Sequence, residues 1–283
     1  MQQQSFMHEG HSLNVVTAGS PKAPPILMIH GYCSSHQVWR TTIPALEKNW
    51  YCVAVDVLGH GLSSIDPSGD YSIPAQGRRV LALADHLGFE RFSLIGHSMG
   101  GQIALCIASM LAPQRVEKIV DVSGVVGARL TSLVERTIFA PLRIFYGTPL
   151  AYPLEVYQRL CSPRFKWAAR YQFGSWFHDM DSLNFDWWRV DRELANRPGM
   201  RHTWYHGMKA IEGLNLTDNL SGITAPTLVL FGAQDNVVPI QDAHLAHEHI
   251  PGSQLCILDR CGHFPMFEQQ QRYMTAVSEF LGA

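Results

Sequence analysis

Six short apolar runs limit how this chain of 283 residues can fold. They are PPILMIHG (24–31), YCVAVDVLGHG (51–61), RFSLIGHS (91–98), EKIVDVSG (117–124), PTLVLFGAQD (226–235) and SQLCILD (253–259). Their apolar residues are continuous instead of alternating, which signals strands buried on both faces. Helical patterns lie between them at Ala75–Leu87, Met99–Leu111, Gln241–His249 and Gln269–Phe280. This alternation predicts an α/β fold, with a mostly parallel central sheet flanked by helices and right-handed crossovers. The opening segment SFMHEGHSLNVVTAG alternates and turns at Glu9-Gly10, so it reads as an antiparallel hairpin on the sheet edge.

The rhythm breaks after the sixth strand. From Gly127 to Met200 no buried-strand run occurs, and Pro141, Pro149, Pro153, Pro163 and Pro198 interrupt helical segments. We read residues 127–205 as a helical cap inserted between two parts of one core, 1–126 and 206–283. Residues 145–205 hold 15 of the 29 aromatic residues, so the aromatic excess belongs to this insert. Some of these rings must form a second core. Others would line an apolar pocket above the sheet, and Phe139, Trp176, Phe177, Trp187 and Trp188 are the candidates.

Composition excludes several classes. Charged residues make up 16%, against about 25% in an average domain, and 46% are hydrophobic, so disorder is disfavoured. The net charge of −2 leaves no basic footprint for nucleic acid. The N-terminus lacks the pattern of a signal peptide, and no apolar stretch reaches membrane-spanning length. The six cysteines are dispersed without CxxC pairing, which fits free thiols in a cytoplasmic protein. His244, His247 and His249 beside Glu248 lack a recognised metal-site spacing and read as a solvated helix face, so no metal is expected.

Chemistry concentrates at Gly96-His97-Ser98-Met99-Gly100, a G-x-S-x-G pattern between an apolar strand and a helical run. That setting identifies a nucleophile elbow, with the Ser98 hydroxyl raised above the sheet at the start of a helix. Gly101 would let that helix pack closely. A serine needs a base to take its proton, and His263 in Cys261-Gly262-His263 follows the last strand. An acid should follow an intervening strand, and Asp235 in Gly232-Ala233-Gln234-Asp235 does so. Asp121 competes, but its setting IVDVSG reads as strand interior. The order Ser98, Asp235, His263 then defines a triad. The N–H groups of Met99 and of Tyr32, after His30-Gly31, are the expected oxyanion donors.

The motifs HGY at 30–32, DVLGHGLSS at 56–64, GHSMGG at 96–101, GAQDNVVP at 232–239 and GHFPMFE at 262–268 together resemble the α/β-hydrolase fold superfamily in its capped form. The resemblance implies that Asp56, His60 and Glu268 are scaffold residues and that no cofactor is required. Serine at 98, where epoxide hydrolases and haloalkane dehalogenases have aspartate, disfavours those chemistries, and the absence of HGGG disfavours the hormone-sensitive-lipase-like branch. The resemblance leaves carboxylesterases, monoacylglycerol lipases, carbon–carbon hydrolases of meta-cleavage products, lactonases and perhydrolases. Of these, hydrolysis of a small-molecule carboxylic ester with a moderately apolar part leads, by a monomer or homodimer. Arg129, Arg189 or Arg192 could hold a dienoate in the carbon–carbon alternative. A ligand receptor on a hydrolase scaffold is the non-enzymatic alternative, since fold does not fix function.

Overall fold

The computed structural model describes residues 1–282 apart from 154, 155, 157–164, 166, 168, 169, 171, 172 and 183. Cys161 and Pro163 therefore lie outside the described residues. An eight-stranded sheet organises the molecule: β1 (Gln2–His8), β2 (His11–Ala18), β3 (Pro25–Ile29), β4 (Tyr51–Val55), β5 (Phe92–His97), β6 (Val116–Val122), β7 (Thr227–Gly232) and β8 (Gln254–Leu258). The spatial order is β1-β2-β4-β3-β5-β6-β7-β8. β1 pairs antiparallel with β2, and β2 with β4; every other pairing is parallel. The β1–β2 hairpin turns at Glu9 (φ 51°) and Gly10 (φ 79°), the two positive φ values that a tight hairpin turn needs.

The continuous apolar runs have a direct cause. Successive strand residues point to opposite faces. Leu27 and Ile29 of β3 enter one core, with Val53, Val55 and Leu94. Ile26 and Met28 enter the other, with Cys52, Ala54 and Ile95. Each fully buried side chain of this kind contributes about 1.5–3 kcal/mol. Helices cover both faces. α1 (Ile73–His86) is capped by Ser72 Oγ, which accepts from Ala75 N. α2 (Met99–Cys106) follows β5 directly and widens into a π turn over Ile107–Leu111. Between β6 and β7 the described residues contain no strand. They form α3 (Ala140–Phe145), α4 (Phe185–Ala195), α5 (Met200–Glu212) and short 3-10 and π turns. Asn184 caps α4 by accepting from Asp186 N and Trp187 N. α6 (Ile240–His249) and α7 (Gln270–Leu281) complete the core. No helix among the described residues is long and apolar enough to cross a membrane.

Two bounds read from apolar runs shorten. The 51–61 run yields a strand only to Val55, in keeping with the turn that the resemblance of DVLGHGLSS implies. Beyond it, buried Asp56 accepts from Asn14 Nδ2, His36 N and Leu62 N, which folds the following residues into a turn. The helix expected over Met99–Leu111 loses its regular winding after Cys106. The cysteines at 33, 52, 106 and 261 are buried and Cys256 is half-buried, all with free thiols.

The start of α2 packs very closely on β3. A Cβ at Gly100 would lie 2.0 Å from the Ile29 carbonyl oxygen and 2.6 Å from that of His30. Both obstacles are backbone and cannot rotate away. Gly100→Ala is therefore expected to destabilise the fold by about 1–3 kcal/mol or more, as overpacking does. A urea midpoint equal to wild type would contradict this packing.

Candidate active site

Ser98 sits where β5 becomes α2, with φ 57° and ψ −117°. A non-glycine residue there is strained, and strain of this kind persists only where the surroundings enforce it. The surroundings do so. Ser98 N donates to Val122 O at 2.9 Å, and Ser98 O accepts from Gln102 N at 3.1 Å. Glycine is required beside it, since a Cβ at Gly96 would lie 2.3 Å from Gly100 O. Gly101 lets α2 approach β6 and the turn after it, because a Cβ there would lie 2.7 Å from Gly124 Cα.

The loops after β7 and β8 bring the other two residues together. Asp235 Oδ2 lies 2.8 Å from His263 Nδ1. Asp235 Oδ1 accepts from Val237 N (2.8 Å) and Val238 N (3.0 Å), so the carboxyl group cannot swing away. His263 N donates to Trp176 O at 2.7 Å. With Nδ1 donating to Asp235, the neutral imidazole keeps a lone pair on Nε2. Ser98 and His263 line the same cavity, about 710 Å³ including the open solvent at its mouth.

His97 ties the elbow to the histidine loop. Its Nε2–H donates to His263 O at 2.8 Å, and the two rings lie 4.7 Å apart. Burial, reinforced by the His263 charge, pushes the His97 pKa well below the usual histidine range. His97 therefore stays neutral beside a ring that gains charge. Met99 follows Ser98 in the chain, and Tyr32 lines the same cavity as Ser98.

The remaining candidates divide. Trp176, Phe177 and Trp188 line the cavity. Phe139 does not: it is buried behind Tyr32, ring centroids 5.9 Å apart, and its neighbour Ile138 faces the cavity instead. Trp187 is also off the wall, lying outside against Phe267 and the Arg40 guanidinium. Helix phase explains both, because adjacent residues point about 100° apart and composition does not fix which one faces inward. Of the three arginines considered, Arg192 alone reaches the wall. Its neighbour Asp191 also lines the cavity and is paired with Arg40. Phe264 and Phe267 also belong to the wall, and the motif GHFPMFE, which contains both, is the sequence signal that points to them.

The residues read as scaffold have structural partners. Asp56 binds the turn described above and the His36 ring. His60 is buried, and burial pushes its pKa down to about 3. Glu268 accepts from Gly262 N (2.9 Å) and His178 N (2.6 Å), which ties the histidine loop to the insert.

Asp121 lies within β6, opposite Gly96 of β5, and both of its oxygens are buried without a hydrogen-bond partner among the described residues. Burial, with a smaller contribution from Asp242, raises its pKa to about 8. The folded state then holds a proton on Asp121 that the unfolded chain releases near pH 4. Stability contributed by this proton is present below pH 4 and lost as pH rises towards 8. Asp121→Asn is expected to flatten the fall in stability between pH 4 and 8. Parallel urea curves for the two proteins across that range would contradict the assignment.

The comparisons with known proteins agree with this architecture. The family model for the alpha/beta hydrolase fold matches residues 24–270. An uncharacterised protein of Mycobacterium tuberculosis is 30% identical over 272 residues, covering 93% of this chain and 76% of that protein. The monoacylglycerol lipase ABHD6 of Mus musculus is 26% identical over 297 residues, covering 100% of this chain and 83% of that protein. The crystal structure of a hydrolase from Pseudomonas aeruginosa PA01 superposes with a TM-score of 0.81 at 25% identity, covering 99% of this chain and 98% of that one. The strand order, the elbow at Ser98 and these matches lead to one conclusion: the chain belongs to the alpha/beta hydrolase fold family.

Proposed function

We propose that this chain is a serine hydrolase that cleaves a carboxylic ester with a moderately apolar acyl or alcohol part, through an acyl-enzyme. The observation that carries this reading is the meeting of Ser98, at its positive-φ turn, with the Asp235–His263 pair in one cavity. The insert over residues 127–205 would act as the cap, giving Trp176, Phe177 and Trp188 to the wall. Similarity to a monoacylglycerol lipase supports an ester of that general polarity.

The chemistry follows from the site. Ser98 Oγ attacks the ester carbonyl while His263 Nε2 takes the hydroxyl proton. Asp235 holds the ring and stabilises the imidazolium without itself taking the proton. The N–H groups of Tyr32 and Met99 face the developing oxyanion, assisted by the positive end of α2. His263 then returns the proton to the leaving alcohol. Water, activated in the same way, releases the acid.

The test is a panel of p-nitrophenyl esters of graded acyl length, a lactone and a meta-cleavage product, with Ser98→Ala as the blank. Saturable, Ser98-dependent turnover of medium-chain esters above the other arms is expected. Preferential cleavage of the meta-cleavage product or lactone would overturn the ester reading. Ligand-induced stabilisation without turnover would favour a receptor.

A further inference from the structure

The loop that carries the Tyr32 donor is held at its ends by the core. His30 Nδ1 binds Gly31 O at 2.7 Å, and Gly31 packs so tightly that a Cβ would lie 3.0 Å from Ser98 Cβ. On the far side, Ser35 Oγ accepts from Gln37 N and caps the turn His36–Trp39. Of the three residues between, Tyr32 and Cys33 are secured differently. Cys33 has φ 52°, an unfavourable conformation for a non-glycine residue that needs outside support.

That support comes from the insert. Tyr32 OH donates to Trp204 O of α5 at 2.6 Å. The Tyr32 ring fills a slot between Phe139 and Gly207, where a Cβ at 207 would come within 2.9 Å of Tyr32 Cε2. Arg192 Nη2 of α4 donates to Cys33 O at 2.8 Å. The Arg192 guanidinium is itself held by the rings of Trp188 and Phe173, at 4.7 and 5.1 Å from their centroids. One strap fixes the Tyr32 side chain and the other fixes the Cys33–Ser34 peptide. Rotation about the Tyr32 backbone, which would turn its N–H, is then opposed from the side chain and from the carbonyl one residue on.

We propose that the insert positions the oxyanion donor through two straps, Tyr32 OH to Trp204 O and Arg192 to Cys33 O, so that Arg192 and the Tyr32 hydroxyl are positioning residues for catalysis. The inference rests on the hydrolase reading above. It also ties insert and chemistry together: a movement of α4 or α5 that opens the cavity displaces the donor.

The experiment measures kcat and KM on p-nitrophenyl acetate, whose acyl group is too small to need the aromatic wall. The variants are Arg192→Met, Arg192→Lys, Tyr32→Phe and the double variant Tyr32→Phe/Arg192→Met. Each single removal is expected to lower kcat about tenfold, and the pair about a hundredfold, approaching the loss of one oxyanion donor, with KM within about twofold. Arg192→Lys keeps a donor and should recover most of the loss. Affinity for a trifluoromethyl ketone, which forms an oxyanion adduct on serine, should fall in parallel with kcat, while affinity for the matching methyl ketone does not. Tyr32→Phe deletes a single oxygen and keeps the test valid if Arg192→Met fails to fold. Unchanged kcat in Tyr32→Phe and Arg192→Met, or a loss confined to KM, overturns the strap proposal and leaves the hydrolase reading intact. Wild-type turnover equal to that of Ser98→Ala overturns both.

Discussion

Ser98→Ala is expected to lower kcat on a short ester by about 10⁴-fold or more, with the fold and KM nearly unchanged. The size follows from the chemistry. Without Oγ there is no acyl-enzyme, and His263 can at best activate water from a position set up for serine. In the proposed mechanism the N–H groups of Tyr32 and Met99 survive the change, so some acceleration over bulk water should remain. Stability should not fall, because alanine fits the same turn and the strain at φ 57° is imposed by the neighbouring glycines and the β6 contact. Residual activity within tenfold of wild type would mean that another group performs the attack.

The second large effect is expected for Asp235→Asn, about 10⁴-fold in kcat. The geometry explains why a nearly isosteric change costs so much. Asp235 Oδ1 accepts from two backbone N–H groups, and the asparagine carbonyl oxygen would keep that place. Its NH2 would then face His263 Nδ1 at the former 2.8 Å contact. Nδ1 must become the acceptor, so the proton moves to Nε2. The ring then presents a donor to Ser98 and cannot take its proton. Asp121→Asn is the control. That carboxyl group is buried in β6 without partners among the described residues and does not touch His263, so most activity should remain. Similar losses in both variants would contradict the assignment of Asp235 as the orienting acid.

The sequence made the sheet legible for a physical reason. Strands such as β3 and β4 bury both faces, so their positions are apolar and the run stands out without periodicity. Strand ends were less legible. The 51–61 run regains apolar residues at Val57 and Leu58, so its hydrophobicity overruns the strand; the family resemblance of DVLGHGLSS marks a turn there, and the Asp56 hydrogen bonds fix it after Val55. The residues around Ser98 were legible because a sharp turn needs glycines at fixed spacing, and the Asp235 and His263 loops each follow a recognisable strand. The pocket wall was not. An aromatic-rich helix does not declare which side faces inward, so Phe139 and Trp187 were expected on a wall that Ile138 and Phe267 occupy instead. The two straps were beyond sequence reasoning altogether, since Arg192 and Cys33 are 159 positions apart.

The central claim is that Ser98 carries a covalent acyl group during turnover. The direct measurement is acid quenching during turnover of a slowly deacylated p-nitrophenyl ester, followed by peptide mass spectrometry. The expected result is one acyl group per chain on the peptide containing Ser98, formed with a matching burst of p-nitrophenol. An acyl group on another residue such as Cys33, or steady turnover with no adduct and no burst, would contradict it.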